Sequence, residues 1–486
     1  MMYKPTLDEV KSIFRKNNGN MIPLYREIDV DLETPVAAFL KVATGPYSFL
    51  LESVEGGERQ ARYSFIGTEP YDVLKTGPST ELGDIDPLVP LQEKLALYKS
   101  LSVGDLPRFL GGAIGYLSYE TFRYYEPRVT SPEADPLGVP ESVLMFTDTL
   151  LVFDHVKRVI KLVSHVHLRD NIEAAYKEAA ERIETMARRL EGDVVDSGQL
   201  GSTDYVNKEV SNFSKQEYID VVNRCKQYII AGDIIQVVPS RRIARNTYAE
   251  PFSIYQALRK LNPSPYMYFL KMDDFYIIGA SPETLVRVEE GFVYNYPLAG
   301  TVRRGVDAEE DARLEEKLRN DEKEMAEHVM LVDLGRNDVG KVSESGSVKV
   351  NDLARVVKYS HVMHLESEIQ GKLRKDKTIF DALRSCMPAG TLSGAPKIRA
   401  MEIIAELERE KRGPYGAAIG YFGFHGNMDT AIPIRTIVMK NGVAYLQAGG
   451  GIVYDSDPES EWQETVNKMA APARAIVVAE ESYHSK

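Results

Sequence analysis

Short apolar runs separated by turn residues dominate the chain up to about residue 165, and this pattern predicts β-strands. Residues 47–54 and 61–67 flank the sequence Glu-Gly-Gly-Glu at 55–58, which is typical of a hairpin turn. Residues 110–120 predict a further strand, and residues 143–153 and 159–166 predict a second hairpin. The amino-terminal part is therefore expected to be mostly sheet.

Helical patterns begin at residue 171 and are mixed irregularly with strands from there on. An amphipathic helix is predicted over 171–190, and Ser214 with Glu217 forms the capping box of a second helix that runs to residue 231. The remaining predicted elements are a strand at 234–241, a helix at 309–334, a strand at 431–438, strands at 443–448 and 452–454, and a final helix from Asp457. Because no regular strand–helix–strand rhythm is present, the fold class is predicted to be α+β.

The polar stretch 191–213 has no periodicity and is interpreted as a linker. It divides the chain into an amino-terminal lobe, residues 1–190, and a catalytic region, residues 214–480. The chain is long enough for both parts to bury a sizeable core.

Composition narrows the possible partners and the cellular setting. The chain has 486 residues and a formal net charge of −13, which argues against nucleic acid or an anionic membrane as the main partner. Its two cysteines match no metal or redox spacing, so we expect a reduced, cytoplasmic protein. Residues 1–16 are charged and broken by Pro5, which is not typical of a secretory signal, and no apolar run is long enough to cross a bilayer.

Two cationic positions suggest a site for a small dianion. Residues 386–397 concentrate glycines, prolines and hydroxyls and end in Lys397, so this segment is either a ligand-binding loop or an ordinary connection. Arg435 lies in the apolar run predicted as the strand at 431–438 and needs an anion, which is either a ligand or a buried carboxylate of the protein. Lys397 and Arg435 together could neutralise two carboxylates.

Closely spaced glutamates suggest a divalent metal. Glu461 and Glu464 are three residues apart on the final helix and share one face, and Glu327 lies on the helix at 309–334. Mg²⁺ uses few carboxylates and keeps waters, so one glutamate from each helix would suffice, whereas two solvated acidic faces are the alternative. Successive N–H groups in the run Gly449, Gly450 and Gly451 could cradle a carboxylate, with a simple bulge as the alternative.

Two further segments offer chemistry at strand ends. Glu283 follows an apolar strand at 275–279, where burial would raise its pKa and suit it to general acid catalysis; a helix N-cap is the alternative. The segment 296–305 offers a backbone donor at Gly300 and a hydroxyl at Thr301, while Ala299 has no reactive group; an ordinary turn is the alternative.

Six motifs in a fixed order resemble the chorismate-utilising enzymes, and most closely the branch that forms anthranilate. The motifs are AGDIIQVV at 231–238, GASPE at 279–283, LAGT at 298–301, AEHVMLVDL at 326–334, GAPK at 394–397, and the glycine run at 449–451 continuing to Glu464-Thr465. The resemblance spans nearly the whole chain. It implies one α+β fold in which stacked β-sheets form a sandwich with helices outside.

The resemblance also implies a site for chorismate, which is a dianion, with Mg²⁺ as the cofactor. The implied metal ligands are Glu327, Glu464 and Glu461. The implied substrate contacts are Gly300, Thr301, Tyr415, Arg435, Gly449, Gly450 and Gly451. Glu283 corresponds to the general acid that protonates the departing ring hydroxyl, and Thr391 and His364 match positions near the substrate. We hypothesise that His364 assists the elimination of pyruvate.

Two positions distinguish the nucleophile within the family. Relatives that add water carry a lysine base at the position of Gln236, and relatives that make 4-amino-4-deoxychorismate carry a nucleophilic lysine at the position of Ala299. An amide cannot deprotonate water and alanine cannot attack. The pair therefore fits direct addition of ammonia to the ring, followed by loss of pyruvate to give anthranilate.

The ammonia is expected to come from a partner, because neither cysteine lies in the glycine-rich setting of a glutaminase. The resemblance implies a separate glutamine amidotransferase subunit in a heterotetramer. It also implies feedback inhibition by L-tryptophan, bound by two segments that contain Glu52, Ser53, Asn262, Pro265, Tyr266 and Met267. The alternative for both segments is a structural hairpin and proline turn.

Several alternatives remain at the level of sequence. A close one is an enzyme that stops at the aminodeoxyisochorismate intermediate, and another is a 4-amino-4-deoxychorismate synthase component. A tryptophan-responsive regulatory subunit without catalytic activity would have no reason to keep Glu283, Glu327, Glu461 and Glu464. A structural metal-binding protein would leave Arg435 and the glycine run unexplained.

Overall fold

The computed structural model describes residues 3–30, 33–54, 62–101, 103–104, 106–168, 171–194, 209–359 and 362–484. The predicted hairpin turn at 55–58 and residues 195–208 of the predicted linker lie outside these described residues. No helix among the described residues is long and apolar enough to span a membrane.

Twelve α-helices and one 3₁₀ helix, at Tyr119–Tyr124, are found in this described part. The α-helices are α1 (Leu7–Lys16), α2 (Pro35–Val42), α3 (Leu88–Ala96), α4 (Ile172–Glu191), α5 (Lys215–Ile230), α6 (Pro251–Leu261), α7 (Ala308–Arg319), α8 (Glu322–Gly340), α9 (Ile379–Cys386), α10 (Gly390–Ser393), α11 (Lys397–Leu407) and α12 (Pro458–His484).

The same residues form twenty-three β-strands. The strands are β1 (Met21–Asp29), β2 (Tyr47–Glu52), β3 (Tyr63–Thr68), β4 (Asp72–Thr76), β5 (Gly112–Leu117), β6 (Ser142–Thr147), β7 (Leu150–Asp154), β8 (Val159–His167), β9 (Glu209–Ser211), β10 (Gln236–Val237), β11 (Ser240–Asn246), β12 (Tyr266–Met272), β13 (Phe275–Ser281), β14 (Thr284–Glu289), β15 (Phe292–Asn295), β16 (Leu298–Arg303), β17 (Lys349–Lys358), β18 (Val362–Lys372), β19 (Gly394–Ala395), β20 (Ala418–Gly423), β21 (Met428–Ala431), β22 (Thr436–Lys440) and β23 (Val443–Gly449).

The strands are arranged in two large sheets and one small sheet. The first has the order β1-β8-β7-β3-β2-β12-β13-β22-β23-β11-β9. The second has the order β16-β18-β15-β14-β21-β20-β5-β6-β4, with β17 also paired to β18, and β10 with β19 forms the small sheet. Both large sheets combine strands from before and after residues 191–213. The two predicted lobes therefore share one framework, and the proposed boundaries stay a prediction.

The large sheets pack face to face, with helices on their outer sides. Phe49 and Phe65 of the first sheet share an apolar cluster with Ile114 and Ile419 of the second. Helices α1, α2, α4, α6 and α12 join the outer cluster of the first sheet, and α3, α9 and α11 join that of the second. Burial of both faces of each sheet explains why their strands are nearly continuous in apolar residues. The predicted α+β sandwich with helices outside is confirmed.

Local capping chemistry sets several helix boundaries. The Ser214 hydroxyl accepts the N–H of Glu217, the Glu217 carboxylate accepts the N–H of Ser214, and α5 begins there as predicted. The predicted single helix at 309–334 is wrong, because Asp321 accepts the N–H groups of Lys323 and Glu324 and starts a separate helix. Helix α8 then continues to Gly340.

Three predicted strands are also wrong in their extent. Residues 143–153 divide into β6 and β7, which belong to different large sheets. Residues 234–241 divide into β10 and β11 around Pro239, which has no N–H to donate to a ladder. Residues 452–454 make only a single bridge, between Ile452 and Val237.

Candidate active site

One wall of the candidate active site forms where β23 runs into the three glycines at 449–451. A Cβ atom on Gly450 would lie 2.5 Å from Oε2 of Glu461, and one on Gly451 would lie 2.6 Å from Nε2 of Gln236. These separations are too short for carbon, so the backbone reaches both side chains only because the residues are glycine. The glycines thus bring β10 and α12 together, and their predicted role as a carboxylate cradle stays a prediction.

Four glutamates converge beside this wall from α8 and α12. Burial raises the pKa of Glu324, and the neighbouring carboxylates of Glu327 and Glu464 raise it further. Burial also raises the pKa of Glu461, with a contribution from Glu464. Within the described residues, Oε2 of Glu461 is buried without a hydrogen-bond partner. The two acidic faces therefore approach each other, although Glu464 itself is exposed.

This carboxylate group fits a hard divalent cation. Like charges at close range disfavour ionisation of one another, and a cation would relieve that repulsion. Among the described residues, no three His, Cys, Asp or Glu side chains lie close enough together to hold a metal ion by themselves. A cation at Glu327, Glu461 and Glu464 would therefore need further oxygen ligands, and the predicted metal role of these glutamates stays a prediction.

Glu283 lies in the short connection between β13 of the first sheet and β14 of the second, so the alternative of a helix N-cap is wrong. The residue is only 9% exposed, and burial raises the pKa of its carboxyl to about 7. The Thr391 hydroxyl donates to Oε1 of Glu283 at 3.0 Å and opposes that rise, as do the charges of Lys468 and Arg435. Glu283 is therefore poised to give up a proton near neutral pH.

Arg435 does not lie inside a strand, contrary to prediction. Strand β21 ends at Ala431 and β22 begins at Thr436, and Arg435 occupies the connection with a φ of 51°. Its carbonyl accepts the N–H of Ala280 at 3.2 Å, which ties the connection to β13. This backbone conformation is rare for residues other than glycine and turns the side chain out of the sheet.

The Arg435 guanidinium makes no hydrogen bond or ion pair with any described residue. Burial lowers the pKa of Arg435, while Tyr415, Glu464 and Glu283 oppose that shift from nearby. The alternative of a buried carboxylate bonded to Arg435 is therefore wrong. A desolvated guanidinium without a partner is a binding site for an anion.

His364 of β18 reaches across to β16, where the ladder contains a bulge between Ala299 and Val302. Its Nδ1 lies 2.7 Å from the carbonyl oxygen of Gly300 and 3.2 Å from the Thr301 hydroxyl. A carbonyl can only accept, so Nδ1 carries the proton and Nε2 is the basic nitrogen. Burial lowers the pKa of His364, which keeps the ring neutral.

Two groups complete the site next to Gly449. Burial raises the pKa of the Tyr415 hydroxyl to about 12, while the nearby backbone of Gly449 opposes that rise. Lys468 donates to the carbonyl of Gly449 at 2.9 Å and pairs with Glu464 at 2.6 Å. The candidate roles assigned from sequence do not include Lys468 or Glu324. Helical spacing in the sequence could have indicated both residues. Lys468 follows Glu464 by four positions and Glu324 precedes Glu327 by three, so each shares a helix face with a predicted metal ligand.

Lys397 is the predicted active-site cation that already has a protein partner. Its ammonium group pairs with the buried carboxylate of Asp338 at 2.6 Å and contacts the carbonyl of Cys386 at 3.3 Å. This ion pair joins α11 to α8, so the ammonium group is less available to a substrate than the Arg435 guanidinium. The predicted site role of Lys397 stays a prediction.

A second cavity, of about 90 Å³, lies between the two large sheets. The ladder of β2 with β12 places Glu52 opposite Met267, which brings the two predicted tryptophan segments together. Five of the six predicted residues line the cavity: Glu52, Ser53, Pro265, Tyr266 and Met267. Asn262 does not line it, and its amide instead lies 3.4 Å from the Ser264 hydroxyl.

Two carboxylates that line this second cavity are bonded within the protein, whereas Nε of the lining Arg287 has no hydrogen-bond partner among the described residues. The Glu52 carboxylate accepts the Tyr255 hydroxyl at 2.5 Å and the Arg259 guanidinium at 2.9 and 3.1 Å. Tyr266 donates to the buried carboxylate of Asp429 at 2.8 Å. Glu52 therefore already accepts hydrogen bonds from two protein groups, and the predicted role of Glu52 and Ser53 in binding L-tryptophan stays a prediction.

Comparison with known proteins places the geometry in context. A family model described as chorismate binding enzyme matches residues 47–474. Anthranilate synthase component 1 of Acetivibrio thermocellus is 49% identical over 99% of this chain and 100% of its own length. The protein of the same name from Pseudomonas aeruginosa is 48% identical over 95% of this chain and 97% of its own length.

Solved structures agree at the level of the fold. The crystal structure of anthranilate synthase component I from Streptococcus pneumoniae superposes with a TM-score of 0.76 at 37% identity, covering 92% of this chain and 98% of that one. The menaquinone-specific isochorismate synthase MenF of Escherichia coli superposes with a TM-score of 0.70 at 20% identity, covering 97% and 98%. The second likeness is one of fold alone.

Proposed function

This chain belongs to the family of chorismate-binding enzymes that includes anthranilate synthase component 1, and on that premise we propose that it converts chorismate and ammonia to anthranilate and pyruvate on the route to tryptophan. The observation that carries the proposal is the unpartnered guanidinium of Arg435, which lies near the half-ionised Glu283 and the four glutamates. An anionic substrate that carries a leaving group would complete such a site.

Arg435 and Tyr415 bind and orient a carboxylate of the substrate in this proposal. The Arg435 side chain has lost water without gaining a protein partner, so a carboxylate gains a charge-assisted bond at little further cost. Gly300 and Thr301 are proposed as further substrate contacts, and their hydrogen bonds to His364 support a common site for the three residues. These contacts fix the ring relative to the acid and the base.

Glu283 supplies the proton that the departing ring hydroxyl needs. Hydroxide leaves poorly, whereas water leaves readily once Oε1 or Oε2 of Glu283 has donated its proton. With a pKa of about 7, close to half of the Glu283 carboxyls carry that proton at neutral pH. The carbon–nitrogen bond to ammonia forms as this carbon–oxygen bond breaks.

Gln236 supports ammonia rather than water as the nucleophile. Its amide nitrogen donates to Oε1 of Glu327 at 3.4 Å, which orients the group, and its own Oε1 is buried without a partner in the described part. An amide oxygen can accept an N–H of ammonia but cannot remove a proton from water. Ala299 offers no group that attacks the ring.

His364 then takes a proton from the aminated ring through its basic Nε2. The hydrogen bond from Nδ1 to the Gly300 carbonyl holds the ring and its tautomer in place. The electron pair of that C–H bond completes the aromatic ring as the ring carbon–oxygen bond breaks. The enolpyruvate that departs takes up a proton to become pyruvate, and the aromatic amine remains. Elimination distinguishes this function from an enzyme that stops at aminodeoxyisochorismate.

Glu327, Glu461 and Glu464 would hold Mg²⁺ in this proposal. The unpartnered Oε2 of Glu461 and the raised pKa values of Glu461 and Glu324, to which the nearby carboxylate of Glu464 contributes, support a cation there. When bound, the ion would neutralise a substrate carboxylate beside the reacting carbon.

We further propose that ammonia comes from a glutamine amidotransferase subunit, the two kinds of chain forming a heterotetramer. L-tryptophan is proposed as a feedback inhibitor bound in the second cavity, with Ser53, Pro265 and Met267 against it. The cytoplasm is the proposed location, because the substrate and the partner reaction are those of soluble metabolism.

The test is a reaction of the purified chain with chorismate, MgCl₂ and ammonium chloride at pH 8, without glutamine. Anthranilate is followed by its fluorescence, and pyruvate by lactate dehydrogenase and NADH. We expect equal amounts of both products, and loss of both with EDTA. An aminated product without pyruvate would indicate the shorter reaction, and a hydroxylated product or no product would overturn the proposal.

A further inference from the structure

Arg412 is the largest fully buried side chain in the described part of the molecule, and it lies outside the substrate contacts proposed above. Its guanidinium donates to both carboxylate oxygens of Glu408, at 2.9 and 2.6 Å. It also donates to the carbonyls of Leu392 and Val238, each at 2.7 Å. The planar group therefore bonds three separate segments at once.

Two of these segments carry a residue of the candidate site. Leu392 directly follows Thr391, whose hydroxyl bonds Glu283. Val238 is two residues after Gln236. Glu408 holds the Val238 segment at a second point, because its Oε1 accepts both the N–H and the hydroxyl of Ser240, at 2.7 and 2.9 Å.

The Ser240 segment reaches the glycine wall. Ser240 pairs with Gly449 in the ladder of β11 with β23. The backbone N–H of Arg412 and that of Gly413 donate to the buried Glu120, at 2.6 and 3.1 Å, which fixes the turn leading to Tyr415. Arg412 thus joins the backbones that present Thr391, Gln236, Gly449 and Tyr415.

Stability alone is a poor reason for such a group. A buried ion pair loses about as much free energy by desolvation as it gains by attraction, and apolar side chains of similar volume often serve stability as well. What an apolar side chain cannot do is bond the carbonyls of two segments and the carboxylate of a third at set angles. Lysine cannot do it either, since it is a point charge without the planar fork.

We propose that Arg412, held by Glu408, is a positioning residue that sets the Thr391 hydroxyl against Glu283 and the Gln236 amide against the glycine wall. The inference rests on the proposed function, because it assigns Arg412 a role in that reaction. Arg412 itself touches neither substrate nor reacting atoms, so its effect passes through Thr391 and Gln236.

The proton affinity of Glu283 reports on this positioning. The groups that act on Glu283 are the Thr391 hydroxyl and the charges of Lys468 and Arg435, and each lowers its pKa. If Thr391 moves away, the pKa of Glu283 rises. The acid then stays protonated to higher pH, so the alkaline fall of kcat/KM moves to higher pH.

The experiment compares Arg412→Lys, Thr391→Val and the double variant by pH profiles of kcat/KM in the ammonia-dependent reaction. We expect Arg412→Lys to lower kcat/KM by about 100-fold, as a displaced catalytic contact does. We also expect its alkaline limb to move upward as in Thr391→Val, with no further movement in the double variant. The matched control is Arg245→Lys. It alters a different ion pair, in which Arg245 and Glu480 are 2.8 Å apart, and this pair is not part of the candidate site.

Arg245→Lys should lower the melting temperature without moving the limb. An unmoved limb in Arg412→Lys, or additive movements in the double variant, would overturn the inference. If Arg412→Lys does not fold, Glu408→Gln weakens the same network and should move the limb in the same direction; an unmoved limb there has the same meaning. Wild-type protein that makes no anthranilate would instead count against the proposed function.

Discussion

Arg435 of the candidate active site and Glu52 of the second cavity differ in how their buried charges are partnered. In the active site, the Arg435 guanidinium has no protein partner in the described part, and Oε2 of Glu461 and Oε1 of Gln236 are buried without hydrogen bonds. In the second cavity, the Glu52 carboxylate is bonded by Tyr255 and Arg259. Both lie within one sandwich, so the difference belongs to the sites and not to the fold.

The difference indicates what each site waits for. Unpartnered polar groups cost folding free energy, and a protein keeps them where a ligand or a transition state will complete them. Groups that are already satisfied add nothing to stability when a ligand arrives, so the second cavity selects by shape and by its remaining surface. The active site is thus proposed to bind its ligand mainly through charge, and the second cavity mainly through shape.

Replacing Glu283 by glutamine should cause the largest loss of activity among the substitutions considered. The amide keeps the shape but has no proton to donate to the departing hydroxyl, so we expect kcat to fall by about 10³–10⁴-fold. The rate at which anthranilate fluorescence appears measures the change in kcat. Glu316→Gln, an exposed change on α7, should leave the rate intact, and a Glu283→Gln enzyme within tenfold of wild type would exclude this residue as the acid.

The same variant should also change how stability depends on pH. The folded pKa of Glu283, about 7, is above its ordinary value of 4.5, so the folded state binds this proton more tightly. Its contribution to stability is fully present below about pH 4.5 and is lost as pH rises through about 7. Melting temperatures between pH 5 and 8 should therefore fall less steeply in Glu283→Gln than in wild type.

Arg435→Met and Arg259→Met sharpen the contrast between the two sites. Removing Arg435 should lower kcat/KM for chorismate by about 10²–10³-fold, because the substrate loses its charged partner. It should not lower the melting temperature of the free protein, because no described group loses a partner. Steady-state kinetics and thermal unfolding of the same preparations measure both effects.

The companion variant should behave in the opposite sense. Arg259→Met leaves the Glu52 carboxylate buried with one partner, so we expect the free energy of unfolding to drop by about 3 kcal/mol with little effect on the uninhibited rate. A larger loss of stability in Arg435→Met than in Arg259→Met would contradict the contrast.

The fold was predictable where local chemistry decides it. The capping box at Ser214 and Glu217, the helix at 172–191 and the hairpin of β7 and β8 follow from neighbouring residues. The division of residues 143–153 between two sheets was not predictable, because an apolar run looks the same whether its halves pack in one sheet or in two. The break at Asp321 was missed because helical periodicity continues on both sides of it.

The candidate site shows the same limit. Short motifs identified Glu283, Arg435 and the glutamates, but they could not distinguish a cation that is free from one that is paired. Lys397 and Arg435 looked alike in the sequence, and only the fold shows Asp338 next to the first and no carboxylate bonded to the second. The partner of Lys397 is Asp338, which lies 59 positions away in the sequence. No local sequence pattern can therefore report whether the charge of Lys397 is paired.

His364→Met tests the second half of the proposed reaction. Without the basic Nε2, amination should proceed while loss of pyruvate slows by roughly 100-fold. We expect an aminated, non-aromatic intermediate that is separable by liquid chromatography and identified by mass. Thr301→Ala removes the second contact of Nδ1 and should slow elimination less. Normal anthranilate formation without an intermediate would show that His364 has another role.

Ser53→Phe should have the smallest effect on the basal reaction and a large effect on regulation. The aromatic side chain enters a cavity of about 90 Å³ and fills space that an indole would need, while no group of the active site changes. We expect the concentration of L-tryptophan that halves the rate to rise at least tenfold, with kcat and KM within a factor of two of wild type. Inhibition unchanged from wild type would remove the second cavity as the regulatory site. Loss of uninhibited activity would show instead that the two sites share structural support, because β13, which ends beside Glu283, pairs directly with the cavity strand β12.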